Sequence, residues 1–324
     1  MEPLVNMTAD RPGARVVPMD HRPSNRAGRR QASYALEGHS FEAGSIAPGL
    51  HIVSTPIGNL GDITLRALAT LAAADLIACE DTRVTRKLTD RYVIATPLTP
   101  YHDHNAATAR PKLLQRLAEG AAIALVSDAG TPLLSDPGFK LVRAAQDAGH
   151  KVTVLPGASA PLAALVLGGL PTDEFLFAGF LPAKEAARRA RIADLAAIPA
   201  TLVLFETAPR IAAALSDLAA GLGQRDAAVC RELTKLHEEV RRGDLASLAQ
   251  SFREADTRGE IVLVIGPPAA APPADIADAD PLLRLALTRA SLKDAVSEVT
   301  QATGLPRREV YRRALTLAKQ TPQT

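Results

Sequence analysis

From Leu50 onward, short apolar runs alternate with Ala- and Leu-rich stretches of helical periodicity, and this alternation limits the chain to a few folds. Four of the runs are predicted as strands, at 51–54, 76–79, 122–127 and 151–155. Helical periodicity lies between and after them, at 62–73, 84–92, 106–118 and 139–148. Because strands joined through helices run parallel with right-handed crossovers, the pattern predicts a parallel α/β domain.

The alternation continues in the second half of the chain. Further strands are predicted at 175–180, 201–206, 227–232 and 260–265. A chain of 324 residues that is 47% hydrophobic is long enough for two cores. The sequence therefore predicts an α/β protein with two domains, 49–158 and 159–267.

Segments of different composition flank the two domains. Residues 1–48 begin with a stretch, 1–30, in which six Arg face three acidic residues and apolar periodicity is weak. We predict that 1–48 form a disordered basic extension. Residues 268–281 are dominated by Pro, Ala and Asp, a composition that is typical of an extended linker.

The last segment, 282–324, is predicted as a basic tail of the helix-turn-helix type. Ser291 with Asp294 three positions later is a helix-start signal, and Gly304 and Pro306 form a break before a second helix near Arg307. From 281 to 324 there are eight Lys and Arg against three Asp and Glu, so the positive charge of the chain is local.

Each predicted strand of the first domain ends in a loop rich in Gly, Pro and small polar residues, where ligands of open α/β sheets bind. The loop 54–62 is equally consistent with an ordinary strand-to-helix turn. In the loop 128–138, which holds two Asp and two Gly, Asp128 is placed to accept hydrogen bonds from a nucleoside, with a helix cap as the alternative. The loop 156–160 presents N–H groups suited to an anion. No dinucleotide or P-loop fingerprint is present.

Cys79 and Cys230 lie in predicted strands without Cys or His at zinc-ligand spacing, so we interpret them as buried structural thiols in a reducing compartment and predict no metal. No run of about 18 apolar residues occurs. We therefore expect a soluble cytoplasmic protein without membrane contact.

Seven motifs, in this order, carry a family resemblance. They are TPIGNLGDI (55–63), CEDTR (79–83), SDAGTP (127–132), LPGASA (155–160), FETAPR (205–210), RELTKLHE (231–238) and RGEIVLVIG (258–266). The chain resembles the tetrapyrrole-methylase superfamily over roughly 50–267, and within it the ribosomal RNA small subunit methyltransferase I family. Together these motifs are highly specific, and singly they are not. The extension through about Ala47 is the one departure from the family pattern.

The resemblance implies a class III methyltransferase fold with a cleft between the two α/β domains and S-adenosylmethionine as cofactor. It implies methylation of the ribose 2′-hydroxyl of a decoding-region cytidine in 16S rRNA of the small ribosomal subunit, by a homodimer. The residues that it assigns to cofactor binding are Pro56, Asp128, Ala129, Gly130, Thr131, Ser159, Ala160, Leu204, Phe205, Glu206, Gly259, Glu260 and Ile261.

Two polar groups are candidates for the substrate side. The first group is Glu80, Asp81, Thr82 and Arg83. The guanidinium of Arg83 would hold a phosphate, and one of the two carboxylates would orient a hydroxyl. The alternative is a surface salt-bridge cluster. His102 in the segment 101–105 is the most base-like residue outside the loops, and Tyr101 is expected to stack on an unpaired base.

Two basic groups are candidates for RNA contact. Lys184 and Arg188 begin a predicted helix, for which a solvated face is the alternative. Arg307, Arg308, Arg312 and Arg313 lie on nearby turns of one tail helix and favour phosphate contact, with dimer packing as the alternative.

The residues alone are also compatible with two other functions. A methyltransferase that acts on a tetrapyrrole or another small substrate would not need the basic tail. A non-catalytic RNA-binding assembly factor would not need the glycine-rich cofactor loops.

Overall fold

The computed structural model describes residues 32–269 and 276–320. It begins with an antiparallel hairpin, β1 (Ser33–Leu36) and β2 (His39–Glu42), joined by a two-residue turn with φ of 50° at Glu37 and 82° at Gly38. Tyr34 stacks on Phe41 with the ring centroids 5.5 Å apart and is buried in the core of the first domain. This burial corrects the prediction of disorder for 32–48. Residues 1–31 of the predicted extension lie outside the described residues.

The first domain is a five-stranded parallel sheet with helices between the strands. Its elements are β3 (Gly49–Val53), α1 (Leu65–Ala73), β4 (Leu76–Cys79), α2 (Thr82–Arg91), β5 (Leu98–Pro100), α3 (Ala106–Ala118), β6 (Ala122–Leu125), α4 (Phe139–Asp147) and β7 (Val152–Leu155). The strand order is β5-β4-β6-β3-β7, and every pairing is parallel. The predicted parallel domain is therefore confirmed, and the short edge strand β5 is an addition to it.

The second domain is a mixed sheet. Its elements are α5 (Ala160–Gly168), β8 (Phe175–Phe180), α6 (Glu185–Ala196), β9 (Thr201–Thr207), α7 (Ile211–Leu222), β10 (Asp226–Arg231), β11 (Glu239–Asp244), α8 (Leu245–Arg253) and β12 (Glu260–Ile265). The order is β11-β10-β12-β9-β8, with only β8 and β9 parallel. The predicted class of two α/β domains is confirmed.

The two domains share a hydrophobic cluster, which fixes the cleft between them. Ile57, from the loop after β3, packs in one cluster with three residues of the second domain. They are Leu165 of α5, Val203 of β9 and Leu233, which follows β10. All four side chains are buried, and burial of one such side chain stabilises the fold by about 1.5–3 kcal/mol. The loop that follows the first strand is thus anchored in the second domain.

The tail unit, 276–320, consists of a 3₁₀ turn (Ile276–Ala279) and three helices, α9 (Asp280–Leu287), α10 (Leu292–Thr303) and α11 (Arg307–Gln320). The Ser291 side chain accepts the Asp294 N–H, and Gly304 closes α10 with φ of 67°, in agreement with the predicted helix signals. Because Ala279 and Leu283 are buried in a core of this unit, residues 276–281 belong to it and not to the predicted linker. None of the described helices has the length and apolarity that crossing a bilayer requires.

Candidate active site

Hydrogen bonds join three loops at the carboxyl ends of the first sheet. The Thr55 N–H donates to the Gly130 carbonyl at 2.9 Å, and the Gly130 N–H donates back to the Thr55 carbonyl at 3.0 Å. The Thr131 hydroxyl lies 3.1 Å from the Ser54 hydroxyl and donates to the Ala158 carbonyl at 3.2 Å. The loops after β3, β6 and β7 therefore form one platform.

The loop 128–138 contains four residues in left-handed backbone conformations. The φ angles are 77° at Gly130, 76° at Leu133, 68° at Ser135 and 137° at Gly138. Left-handed conformations at bulky residues are strained and persist where the surroundings hold them, as they do at many ligand sites. The conformation of this loop is therefore held by its contacts with the platform and the second domain.

A cavity of about 380 Å³ lies between this platform and the second domain, within the size range of small-molecule sites. We refer to it as the interdomain cavity. Phe180 and Phe205 line its second-domain side, with their ring centroids 5.4 Å apart. An aromatic wall and convergent polar groups suit a ligand with a flat ring and hydrogen-bonding substituents.

Glu206 is the buried polar residue of the interdomain cavity. Its Oε1 accepts the Thr207 N–H at 2.8 Å and lies 3.2 Å from the Nε of Arg210, while its Oε2 has no hydrogen-bond partner among the described residues. Burial raises the pKa of this carboxyl, and the Thr207 N–H and the guanidinium partly offset that rise. A buried acceptor without a partner is uncommon in folded proteins and is a feature of many functional sites.

Most of the residues that the family resemblance assigned to the cofactor line the interdomain cavity. They are Asp128, Ala129, Gly130, Thr131, Ser159, Ala160, Phe205, Glu206, Gly259, Glu260 and Ile261. Pro56 lines a second cavity that adjoins the interdomain cavity. Leu204 lines neither cavity, since its side chain is fully buried in the core of the second domain, and its contact with the cofactor stays a prediction.

The adjoining cavity has a volume of about 450 Å³. Asp128 and Glu260 line both cavities. Lys87 and Lys235 contribute positive charge, and the Nζ of Lys235 is held by Glu232 at 2.7 Å and by Glu260 at 2.9 Å. Two ligand-sized spaces therefore meet at Asp128.

The Glu80 to Arg83 group lies at the end of β4, next to Asp128. The Asp81 carboxylate caps α2 by accepting the Arg83 N–H at 2.8 Å and pairs with the Arg83 guanidinium at 2.6 Å. Hydrogen bonds from the side chain and backbone of Arg83 lower the pKa of Asp81 to about 2. The Asp81 N–H donates to Asp128 Oδ1 at 3.0 Å. The surface ion pair is thus present, and RNA contact by the exposed Arg83 stays a prediction.

His102 and Glu80 lie near one another, and neither side chain lines the interdomain cavity. Burial, Asp128 and Asp103 raise the pKa of Glu80, and the nearby His102 opposes that rise. The His102 Nδ1 is buried and has no hydrogen-bond partner among the residues described. The expectation that Tyr101 stacks on a base is wrong, because its ring is 2% exposed and packs in the first-domain core.

Asp136 is a residue of the interdomain cavity that no motif singled out. Burial and then the charge of Glu80 raise its pKa most, a hydrogen bond with the Ser127 hydroxyl opposes the rise, and the charge of Asp128 adds a smaller increase, so that the pKa is about 6. The available sequence signal was its position in the loop 128–138, which was predicted to reach the cleft.

The structure separates the predicted RNA-binding residues into two groups. Lys184, Arg307, Arg308 and Arg312 are exposed, and their RNA contact stays a prediction. Arg188 is corrected, because its guanidinium is buried 2.6 Å from the Asp217 carboxylate. Arg313 forms two hydrogen bonds with Asp280 that join α11 to α9, but its side chain is 37% exposed, so its RNA contact also stays a prediction.

Both cysteines are buried free thiols, as interpreted from the sequence. Burial raises the pKa of the Cys230 thiol to about 11. Within 32–269 and 276–320, no group of three or more His, Cys, Asp and Glu residues could hold a metal ion.

Comparison with known proteins matches two families to this chain. Residues 49–249 match Tetrapyrrole (Corrin/Porphyrin) Methylases, and residues 273–318 match the RsmI C-terminal HTH domain. A protein of Mesorhizobium japonicum named "Ribosomal RNA small subunit methyltransferase I" is 53% identical, covering 84% of this chain and 93% of its own length. A protein of the same name from Erythrobacter litoralis is 51% identical, covering 86% and 99%.

Among solved structures, the fold is similar to that of two methyltransferases. The uroporphyrin-III-C-methyltransferase of Thermus thermophilus has a TM-score of 0.50 and 22% identity, covering 68% of this chain and 94% of its own. The methyltransferase CobJ has a TM-score of 0.52 and 21% identity, covering 69% and 96%. These similarities show the fold of the two α/β domains.

Proposed function

Because the chain belongs to the ribosomal RNA small subunit methyltransferase I family, we propose that it transfers a methyl group from S-adenosylmethionine to the 2′-hydroxyl of a decoding-region cytidine in 16S rRNA. The observation that carries the proposal is the interdomain cavity, whose walls are built from the motif segments 127–132, 155–160, 205–210 and 258–266.

The residues of the interdomain cavity fit S-adenosylmethionine. The rings of Phe180 and Phe205 offer apolar surface to a purine, and the carboxylate of the exposed Asp128 offers an acceptor to hydroxyl groups. When bound, S-adenosylmethionine supplies a methyl group whose leaving group is already activated by its positive charge.

The protein then has three tasks: to hold the two substrates in line, to exclude water and to accept the hydroxyl proton. The hydrogen bonds between Thr55 and Gly130 and between Thr131 and Ala158 keep the platform in one geometry. Alignment of two reactants can lower a barrier by about 7–11 kcal/mol, so rigidity here contributes directly to rate.

The tail unit supports RNA over a small substrate. Arg307, Arg308 and Arg312 are exposed on α11, and cations on one helix are suited to phosphates. We propose that the substrate is bound by a homodimer in the cytoplasm, with 16S rRNA in the small subunit as the partner.

Transfer of labelled methyl from S-adenosylmethionine to purified small subunits and to naked 16S rRNA tests the proposal. We expect labelled 16S rRNA, with one modified cytidine in the decoding region. Cofactor binding without RNA labelling would point instead to a small-molecule methyltransferase, and absence of cofactor binding would point to a non-catalytic assembly factor.

A further inference from the structure

The loop that carries Asp136 is in contact with both domains. The residue lies in the strained loop 128–138, between Ser135 and Gly138, which both have left-handed backbones. The neighbour of Ser135 in the second domain is Gly179 of β8, which has φ of 65° next to a register shift in the strand. A Cβ at position 179 would come within 3.1 Å of the Ser135 Oγ, so the loop and the second domain are in close contact here.

Asp136 is half-buried and lines the interdomain cavity together with Asp128 and Ser159. The same cavity holds Glu206, whose side chain is 1% exposed and whose Oε2 has no partner. Glu206 is therefore a second acidic residue of this cavity whose carboxyl the described residues do not fully satisfy.

The charged surroundings of Asp136 suit a general base. Burial raises its pKa most, the nearby Glu80 and Asp128 raise it further, and the Ser127 hydroxyl lowers it, to a final value of about 6. Such a carboxyl is ionised at pH 7–8, and it is a stronger base than an ordinary aspartate. The groups that face this region are Glu80, Asp81, Arg83, His102, Asp103 and Asp128 from the first domain, and Glu206, Arg210 and Glu260 from the second.

The other acidic groups are less suited to the same task. Asp81 has a pKa of about 2 and is paired with Arg83, which makes it a weak base. Asp128 Oδ1 accepts the Asp81 N–H. Glu80 has a raised pKa, but its side chain does not line the interdomain cavity.

We propose that Asp136 is the catalytic base, which takes the proton of the attacking ribose hydroxyl during methyl transfer. In this step the ribose oxygen forms a bond to the methyl carbon, and the carbon–sulfur bond breaks with its electron pair retained on sulfur. The hydroxyl proton moves to the Asp136 carboxylate, which loses it to water after the products leave. The proposal rests on the function proposed above, because it needs a hydroxyl as the acceptor.

The first test is Asp136→Asn, with Asp147→Asn as the matched control on the exposed surface of α4, where Asp147 pairs only with Arg143 among the described residues. We expect Asp136→Asn to lower kcat by about 100-fold or more, as for loss of a general base, with unchanged affinity for S-adenosylmethionine in calorimetry. The control variant is expected to match the wild type in both. Carboxyl NMR of the cofactor-free protein should show one resonance that titrates near the pKa of about 6 and is missing in Asp136→Asn.

The second test is Glu80→Gln, which removes the negative charge that disfavours ionised Asp136. The midpoint of the kcat–pH profile and that of the NMR titration should both move to lower pH. If Asp136 had a merely structural role, the NMR midpoint would still move, but the midpoint of the kcat–pH profile would not follow it. Wild-type-like kcat in Asp136→Asn would overturn the inference and leave the proposed function standing. A wild-type protein that binds the cofactor and methylates no ribose would overturn both.

Discussion

Replacement of Asp217 by Ala removes the main counter-charge of a buried arginine. The side chains of Arg188 and Asp217 are 9% and 7% exposed, and the guanidinium Nε donates to the carboxylate at 2.7 Å. In Asp217→Ala, Arg188 keeps only its hydrogen bond to the Ala183 carbonyl among the contacts described. Breaking a buried ion pair on one side costs about 3–5 kcal/mol, so we expect a loss of that size in the free energy of unfolding.

The pH dependence of this contribution has a defined direction. Burial alone would raise the pKa of Asp217, but hydrogen bonds from Arg189 and Arg188 outweigh it and lower the pKa below its ordinary value. A carboxyl with a lowered pKa in the folded state stabilises the fold fully above its unfolded pKa, about 3.9. The contribution is therefore expected to be present at neutral pH and to be lost as pH falls below about 4.

Urea unfolding followed by circular dichroism measures the effect, since the chain contains no Trp for fluorescence. The control is Arg191→Ala, whose guanidinium is 3.9 Å from Asp194 and exposed, and which we expect to change stability by less than about 0.5 kcal/mol. A double variant, Arg188→Met with Asp217→Leu, should recover much of the stability and keep RNA affinity. Unchanged stability of Asp217→Ala, with RNA affinity lost in the double variant, would refute the structural role of Arg188.

Three further predictions concern the cofactor, the RNA and the thiols. Asp128→Ala should weaken S-adenosylmethionine binding in calorimetry, because Asp128 lines both cavities and holds the Asp81 N–H; unchanged affinity and activity would remove it from the site. Deletion of 276–324 should weaken RNA binding in filter assays and spare cofactor binding, because the tail unit has a core of its own; equal RNA affinity would exclude the tail from recognition. Cys79 and Cys230 should resist a thiol reagent at pH 8 until denaturant is added, because both are buried and protonated; fast native labelling would contradict this.

Buried strands were predictable from the sequence because they lie in continuous apolar runs. The predicted bounds of β4, β8 and β12 match those in the structure, since each run ends where polar residues begin. β11 was not predicted, because it is an edge strand of charged residues that is held by pairing with β10. The N-terminal hairpin was missed because only Tyr34 of β1 is buried, and its burial depends on the first-domain core.

The site could be predicted only in part, because sequence motifs do not show which side chains meet in space. The loops were predictable, since carboxyl ends of parallel strands share one edge of a sheet. The basicity of Asp136 depends on burial and on the charge of Glu80 from another strand. The burial of Arg188 depends on Asp217, 29 residues away.

The central claim is that this cleft methylates a ribose hydroxyl of small-subunit rRNA. Alkaline hydrolysis of 16S rRNA labelled by the wild-type protein tests it most directly, because a methylated 2′-oxygen blocks cleavage of the adjacent phosphodiester. The account predicts that the label is recovered in an alkali-resistant dinucleotide that begins with cytidine. Recovery of the label in mononucleotides, with the methyl group on a base, would contradict it.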